Sequence, residues 1–89
     1  MATALTPEIL QDNVVVSLAR AMAAANKRAR ELGVKPEESL ISISQHTSNG
    51  SQSWRINYGP KDYVARRGGD LIVEVDRDDA TIRRVLHGQ

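Results

Sequence analysis

Residues 40–58 carry the pattern that decides the fold, and they read LISISQHTSNGSQSWRINY. On either side of the central Asn49–Gly50 pair, apolar and polar residues alternate, which is typical of β-strands with one buried face. Asn-Gly is a favoured dipeptide of the two-residue type I′ turn, because both of its residues tolerate a positive φ. The stretch therefore predicts a β-hairpin in which Ser48 faces Ser51.

The turn also sets the register of the hairpin. Counting outward from it places the large side chains on one face, in the pairs Gln45–Trp54, Ile43–Ile56 and Ile41–Tyr58. The other face receives smaller or polar side chains, in the pairs Ser42–Asn57, Ser44–Arg55 and His46–Ser53. Turn chemistry and hydrophobic pattern thus agree. We expect the first face to lie beneath a helix, with Trp54 as an anchor of the core rather than a ligand platform.

The chain before the hairpin predicts that helix. A helix start is predicted at Thr6–Glu8, which offers a capping hydroxyl, a proline for the first turn and an acidic residue near the positive end of the helix dipole. Gly33 is typical of a helix end. Apolar residues between them recur at spacings of three and four and form one stripe, made of Val14, Leu18, Ala21, Met22, Ala25, Ala29 and Leu32.

A single helix over that whole range does not match the sheet. From Pro7 to Leu32 it would be about 39 Å long, whereas strands of six to eight residues span about 20–27 Å. The β-branched run at residues 14–16 also weakens its first half. We therefore expect residues 1–12 to form a mobile or separate short helical lead-in, and the main helix to begin near Asp12 or Asn13.

Two more strands are predicted after a long loop at Tyr58–Gly69. The first strand covers Asp70–Asp76, with Leu71, Val73 and Val75 towards the helix. The second covers roughly Thr81 to His87, and its facing stays open because Ile82 and Leu86 share one side while Val85 points to the other. The fold class is α+β: one long N-terminal helix on one face of an antiparallel sheet of about four strands, in a single domain of 89 residues.

Composition narrows the class of protein. The chain has no cysteine, which excludes disulfides, thiolate metal sites and a cysteine nucleophile. Its 12 Lys and Arg nearly balance its 11 Asp and Glu, which argues against a general nucleic-acid binder. No apolar stretch approaches a membrane span and no signal peptide is recognised, so no membrane association is predicted and a cytoplasmic location is slightly favoured.

The chain resembles PepSY domains, small modules of the cystatin-like type. The resemblance lies in Leu32–Gly33 at the helix end, in the aromatic-x-apolar-x-aromatic run Trp54–Tyr58, and in the strand Val73–Asp76, which leads through a turn to Val85 and Leu86. It implies a helix packed on an antiparallel sheet and, since several members accompany secreted peptidases, a propeptide or inhibitory function. The last turn departs from the family's pattern, because Asp78–Thr81 lacks the usual glycine.

The long loop is the first candidate binding site. Together with the neighbouring strand it offers aromatic and basic side chains suited to an acidic peptide, a phosphate group or nucleic acid, namely Arg55, Tyr58, Lys61, Tyr63, Arg66 and Arg67. The alternative interpretation is a solvated connector whose tyrosines pack against the end of the sheet.

Other polar clusters favour structural interpretations. Asp76, Asp78 and Asp79 lack the glycine and glutamate of a calcium loop, so an acidic turn is the better account than a metal site. His46 and His87 have no identifiable partner for general-base or metal chemistry. No catalytic constellation and no cofactor are predicted.

The sequence therefore predicts a non-catalytic protein- or peptide-binding module, a monomer or weak dimer, whose open sheet edges accept a peptide strand. The first alternative is binding of nucleic acid or another anionic ligand through Arg55, Lys61, Arg66, Arg67, Arg83 and Arg84. The second alternative is a small enzyme whose cleft forms between two subunits and buries His46 or Arg55.

Overall fold

The computed structural model describes residues 7–60 and 70–87. Two helices are followed by a 3₁₀ turn and four strands, with the bounds α1 Pro7–Gln11, α2 Asn13–Glu31, 3₁₀ turn Pro36–Glu38, β1 Ser39–Ser48, β2 Ser51–Pro60, β3 Leu71–Asp76 and β4 Ile82–His87. The strands form one antiparallel sheet in the order β1-β2-β3-β4, and α2 packs on one face of it. The predicted α+β fold is confirmed.

The hairpin of β1 and β2 has the predicted register. Ser48 lies opposite Ser51, Ile43 opposite Ile56, and Gln45 opposite Trp54. The turn residues Asn49 and Gly50 have φ values of 53° and 80°, as a type I′ turn requires. The strands are longer than expected, however, because β2 continues to Pro60 and pairs there with Ser39.

The break between the two helices lies where the cap chemistry predicts it. Asp12 is extended, and its Oδ1 accepts hydrogen bonds from the backbone N–H groups of Val14 and Val15, both at 3.0 Å. These bonds satisfy two of the four donors that a helix start leaves open. Gly33 follows the other end of α2 with a φ of 87°, which a residue with a Cβ rarely adopts.

Alanines form the buried stripe of α2. Ala21, Ala25 and Ala29 are fully buried and let the helix backbone approach the sheet closely. The sheet side of this core consists of Trp54, Ile56, Tyr58, Leu71, Val73 and Val75. Trp54 is therefore a core residue, as predicted.

Two polar contacts tie α2 to the sheet. The indole Nε1 of Trp54 donates to Ser17 Oγ at 2.9 Å, and that hydroxyl donates to the Arg77 carbonyl at 2.7 Å. The Tyr58 hydroxyl donates to Asn26 Oδ1 at 2.6 Å. Burial raises the pKa of Tyr58 to about 12, only partly offset by the charge of Arg30.

The helix covers less of the sheet than the sequence predicts. It lies over β2 and β3, so Ile41 and Ile43 of β1 share a face with Ile56 but remain 37% and 42% exposed. Val14 was expected in the buried stripe and is also exposed, because α2 reaches the sheet only from its second turn onward.

A β-bulge resolves the facing of the last strand. The register between β3 and β4 shifts at Glu74 and Val75, so that Glu74 pairs with Arg84 but Val75 pairs with Ile82. The extra residue brings Ile82 and Val85 to the same side, where both pack on the core. Simple alternation, which placed Ile82 with Leu86, is wrong for this strand.

Candidate functional site

Strand β1 is an edge strand of unusual composition. Among the described strands it has a neighbour on one side only, and its ten residues include no Lys, Arg, Asp, Glu or Pro. Edge strands usually carry such residues, or bulges, because an unpaired row of backbone N–H and C=O groups invites pairing with another chain. The open side of Ser39–Ser48 is called the β1 edge below.

The hairpin register determines which residues offer these groups. In a two-residue hairpin the residues that flank the turn, here Ser48 and Ser51, exchange backbone hydrogen bonds, and every second pair does so further out. The even-numbered residues of β1 therefore bond to β2. The odd-numbered residues direct N–H and C=O to the β1 edge, and they are Ser39, Ile41, Ile43, Gln45 and Thr47.

The side chains at the β1 edge are apolar on the helix side. Ile41 and Ile43 are the exposed isoleucines that α2 leaves uncovered, and their backbone groups are among those directed to the edge. The opposite side of the strand presents the small hydroxyls of Ser42 and Ser44 together with the exposed Leu40 and the half-buried His46. The β1 edge thus combines backbone groups that no described strand pairs with and an apolar strip along one side.

Strand β4, the other edge among the described strands, differs in each of these respects. It has six residues, includes Arg83 and Arg84, and is distorted by the bulge. Short length, charge and bulges are the features that protect an edge from pairing. The two edges of the sheet are therefore not equivalent.

A charged row crosses the face of the sheet away from α2, called the outer face below. The charged row consists of Arg55, Glu74 and Arg84, which neighbour one another across β2, β3 and β4. Arg55 donates from Nε and Nη2 to Glu74 Oε2 at 2.9 and 2.5 Å, and Arg84 Nη2 donates to the same oxygen at 3.0 Å. The hydrogen bond from Arg84, with those from Arg55, holds the pKa of Glu74 below its usual value against the effect of burial.

The acidic turn before β4 is a structural element. The Asp76 carboxylate accepts the backbone N–H groups of Asp78 at 2.7 Å and Asp79 at 3.3 Å, and pairs with Arg83 at 2.8 Å. The Asp78 backbone hydrogen bond contributes most to lowering the pKa of Asp76. Within residues 7–60 and 70–87, no three carboxylate or histidine side chains are close enough together to hold a metal ion.

The two histidines lie apart. His46 stands on the outer face, where its Nε2 is 3.0 Å from Ser44 Oγ, and it borders a recess that also contacts Arg55 and Glu74. His87 is exposed at the end of β4.

The structure places two of the six predicted site residues. Arg55 is on the outer face, in the charged row. Tyr58 belongs to β2, which continues to Pro60, and is buried under α2, so it is a core residue rather than part of the predicted loop. The other four, Lys61, Tyr63, Arg66 and Arg67, lie outside the described residues.

The sequence did not single out Glu74 and Arg84 as partners of Arg55. The alternation in the strand Asp70–Asp76 places Glu74 on the face away from the helix, but it does not supply the register between β2 and β3. Only that register brings the three side chains into one row.

A second group of exposed apolar side chains lies on α1 and the first turn of α2. It comprises Ile9, Leu10, Val14 and Val15. No helix in the described part of the chain combines the length and apolar character needed to cross a bilayer.

Comparison with known proteins gives no relative: no family model, no curated protein and no solved structure matches this chain.

Proposed function

We propose that this domain is a non-catalytic binding module that takes up an extended segment of a partner protein as an additional strand at the β1 edge. The observation that carries the proposal is the composition of that edge: ten residues without a charge, bearing two isoleucines that the helix leaves uncovered. Strand addition of this kind draws affinity from main-chain hydrogen bonds and specificity from alternate side chains.

The exposed isoleucines indicate which peptides fit. A strand added to β1 places every second side chain beside Ile41 and Ile43 on the helix side. Covering the exposed two-fifths of each isoleucine contributes roughly 1 kcal/mol per residue, since full burial contributes about 1.5–3 kcal/mol. We therefore expect ligands in which apolar, preferably β-branched, residues alternate with small or polar ones.

The resemblance to PepSY domains points to the same class of function. That resemblance implies a propeptide or inhibitory module of a peptidase, and strand addition is one physical way for a small sheet to bind such a partner. We propose membership of this family together with the binding function.

Peptide selection against the purified domain tests the proposal. Eight-residue peptides selected from a displayed library are then measured by calorimetry with the wild-type domain, Ile43→Pro and the control Ile43→Thr. Proline removes the outward N–H, whereas threonine keeps it together with the β-branched shape. We expect at least tenfold weaker binding for Ile43→Pro and a smaller loss for Ile43→Thr.

N-methylated peptides give a signature that only strand addition produces. An added strand uses every second amide of the peptide, so N-methylation should abolish binding at alternate positions and leave it unchanged at the positions between. Uniform tolerance of N-methylation, or a failure to select any peptide, would refute the proposal. So would a sedimentation measurement showing a dimer that Ile43→Pro dissociates, because a second copy of the chain would then occupy the edge.

The two alternatives from the sequence make different predictions. Binding of nucleic acid would weaken steeply with salt; the outer-face arginines favour it, although Glu74 and Asp76 neutralise part of their charge. A dimeric enzyme would bury His46 or Arg55 at its subunit interface, so a monomer in solution would exclude it.

A further inference from the structure

The charged row on the outer face contains more hydrogen-bond donors than its acceptors use. Each guanidinium has five N–H donors. Glu74 Oε2 receives bonds from Nε and Nη2 of Arg55 and from Nη2 of Arg84. Within the described residues, Arg55 Nη1 and both Nε and Nη1 of Arg84 have no hydrogen-bond partner. The row thus offers several donors to a further group.

Glu74 also fixes the positions of the two arginines. Its side chain is only 11% exposed, and both guanidiniums contact one oxygen of its carboxylate within 3.0 Å. The two cationic heads are therefore held side by side, although like charges would separate them in solution. Holding them in place in advance lowers the entropic cost of contacting one anion with both.

A recess of about 490 Å³ lies over this row. The residues that line it include Ser53, Arg55, Glu74, His46, Arg83 and Arg84. Arg83 pairs with Asp76, so three arginines face two carboxylates here and one positive charge is in excess. The lining is polar, which favours a small charged group over an apolar ligand.

From these contacts we propose that the recess binds a phosphate group, either as the free ion or on a phosphomonoester, with Arg55 and Arg84 as its principal donors. Guanidinium groups match the oxygens of phosphate in fork geometry and are less strongly hydrated than ammonium groups. Glu74 is a positioning residue for the two arginines and does not contact the anion. The site is separate from the β1 edge, and either proposal can fail without the other.

Titration with two probes, inorganic phosphate and N-acetyl-phosphoserine amide, tests the site. Both are followed by NMR through the arginine Nε–Hε resonances, at constant ionic strength held with sodium chloride. We expect saturable shifts at Arg55 and Arg84, with at least tenfold weaker binding in Arg84→Gln, because a lost charged hydrogen bond weakens binding by about that factor or more. Tighter binding of the phosphoserine probe identifies a phosphomonoester, and equal binding identifies the free ion.

Two further variants separate a specific site from general attraction. Arg30→Gln removes the same charge from an exposed position on α2 and should leave the affinity within about twofold. Arg84→Lys keeps the positive charge but loses the fork-shaped donor geometry of the guanidinium, and should bind phosphate several-fold more weakly than the wild type. Absent or non-saturable shifts, or equal losses in Arg84→Gln and Arg30→Gln, would show that the charged row only stabilises the sheet. Arg84 is 56% exposed, so its variants should fold.

Discussion

Proline substitutions at two adjacent positions of β1 test whether the edge is open as inferred. Ile43 directs its N–H away from β2, whereas Ser44 directs its N–H towards Arg55 in the ladder. Ile43→Pro therefore removes a donor that has no partner in the sheet among the described residues. Ser44→Pro removes a ladder bond and leaves the Arg55 carbonyl without its partner.

The two proline substitutions should lower the free energy of unfolding by measurably different amounts. A net backbone hydrogen bond contributes about 0.5–1.5 kcal/mol, and an acceptor left without a partner costs about 1–3 kcal/mol. Ser44→Pro should thus lower the free energy of unfolding by about 2 kcal/mol or more, which lowers Tm by about 8–16 °C in a domain of this size. The backbone effect of Ile43→Pro, taken as its difference from Ile43→Ala, should be less than about 1 kcal/mol, since proline is tolerated where an edge N–H faces solvent.

Urea unfolding followed by tryptophan fluorescence provides the assay. Trp54 is the chain's single tryptophan and is buried under α2, so its emission reports the core. Ile43→Ala and Ser44→Ala are the matched controls, and the proline-minus-alanine difference at each position isolates the backbone effect. Equal differences, or a larger one at Ile43, would mean that the odd-numbered residues of β1, and not the even-numbered ones, bond to β2. The assignment of the β1 edge would then be wrong.

Three further predictions concern the contact between α2 and the sheet. Ala25→Leu should lower the free energy of unfolding by about 1–3 kcal/mol in a urea titration, because the fully buried alanine has no space beside it for a larger side chain. Ser17→Ala should lower the free energy of unfolding by about 1–3 kcal/mol, because it removes the acceptor of the Trp54 indole N–H. In a Trp54→Phe background the same substitution should lower it measurably less. If the two losses were additive, the contact would be refuted. The free energy of unfolding should fall as the pH rises from 10 to 12, because the folded state favours the neutral phenol of Tyr58. The loss from this group is at most about 2–3 kcal/mol. In Tyr58→Phe this pH-dependent loss should be absent from the measured profile.

Local chemistry explains what the sequence predicted correctly. The hairpin needed only Asn49–Gly50 and the alternation around it, and both signals lie within one stretch of chain. The start of α2 needed only an Asp12 carboxylate within reach of the next backbone N–H groups. Such features depend on residues a few positions apart, so tertiary packing does not override them.

Features that depend on pairing across loops were not predictable in the same way. The bulge at Glu74 and Val75 is visible only once β3 and β4 are paired, and it reverses the side on which Ile82 lies. The charged row needs the register of Arg55 against Glu74, and these two residues are 19 positions apart in sequence. Sequence alternation assigns faces, but it does not supply partners between distant strands.

The exposed side of β1 follows from dimensions that the sequence already contained. An α-helix with its side chains is about 10–12 Å across, and strands lie about 4.8 Å apart, so one helix covers two to three strands of a sheet. The buried alanines of α2 place it over β2 and β3, and the bulge turns Ile82 and Val85 of β4 inward to complete that side of the core. Strand β1 is then the one described strand beyond the reach of the helix, yet it retains isoleucines on the helix side and no charged residue. Edge strands that face water usually carry charged residues, so the composition of β1 supports the proposed pairing with another chain.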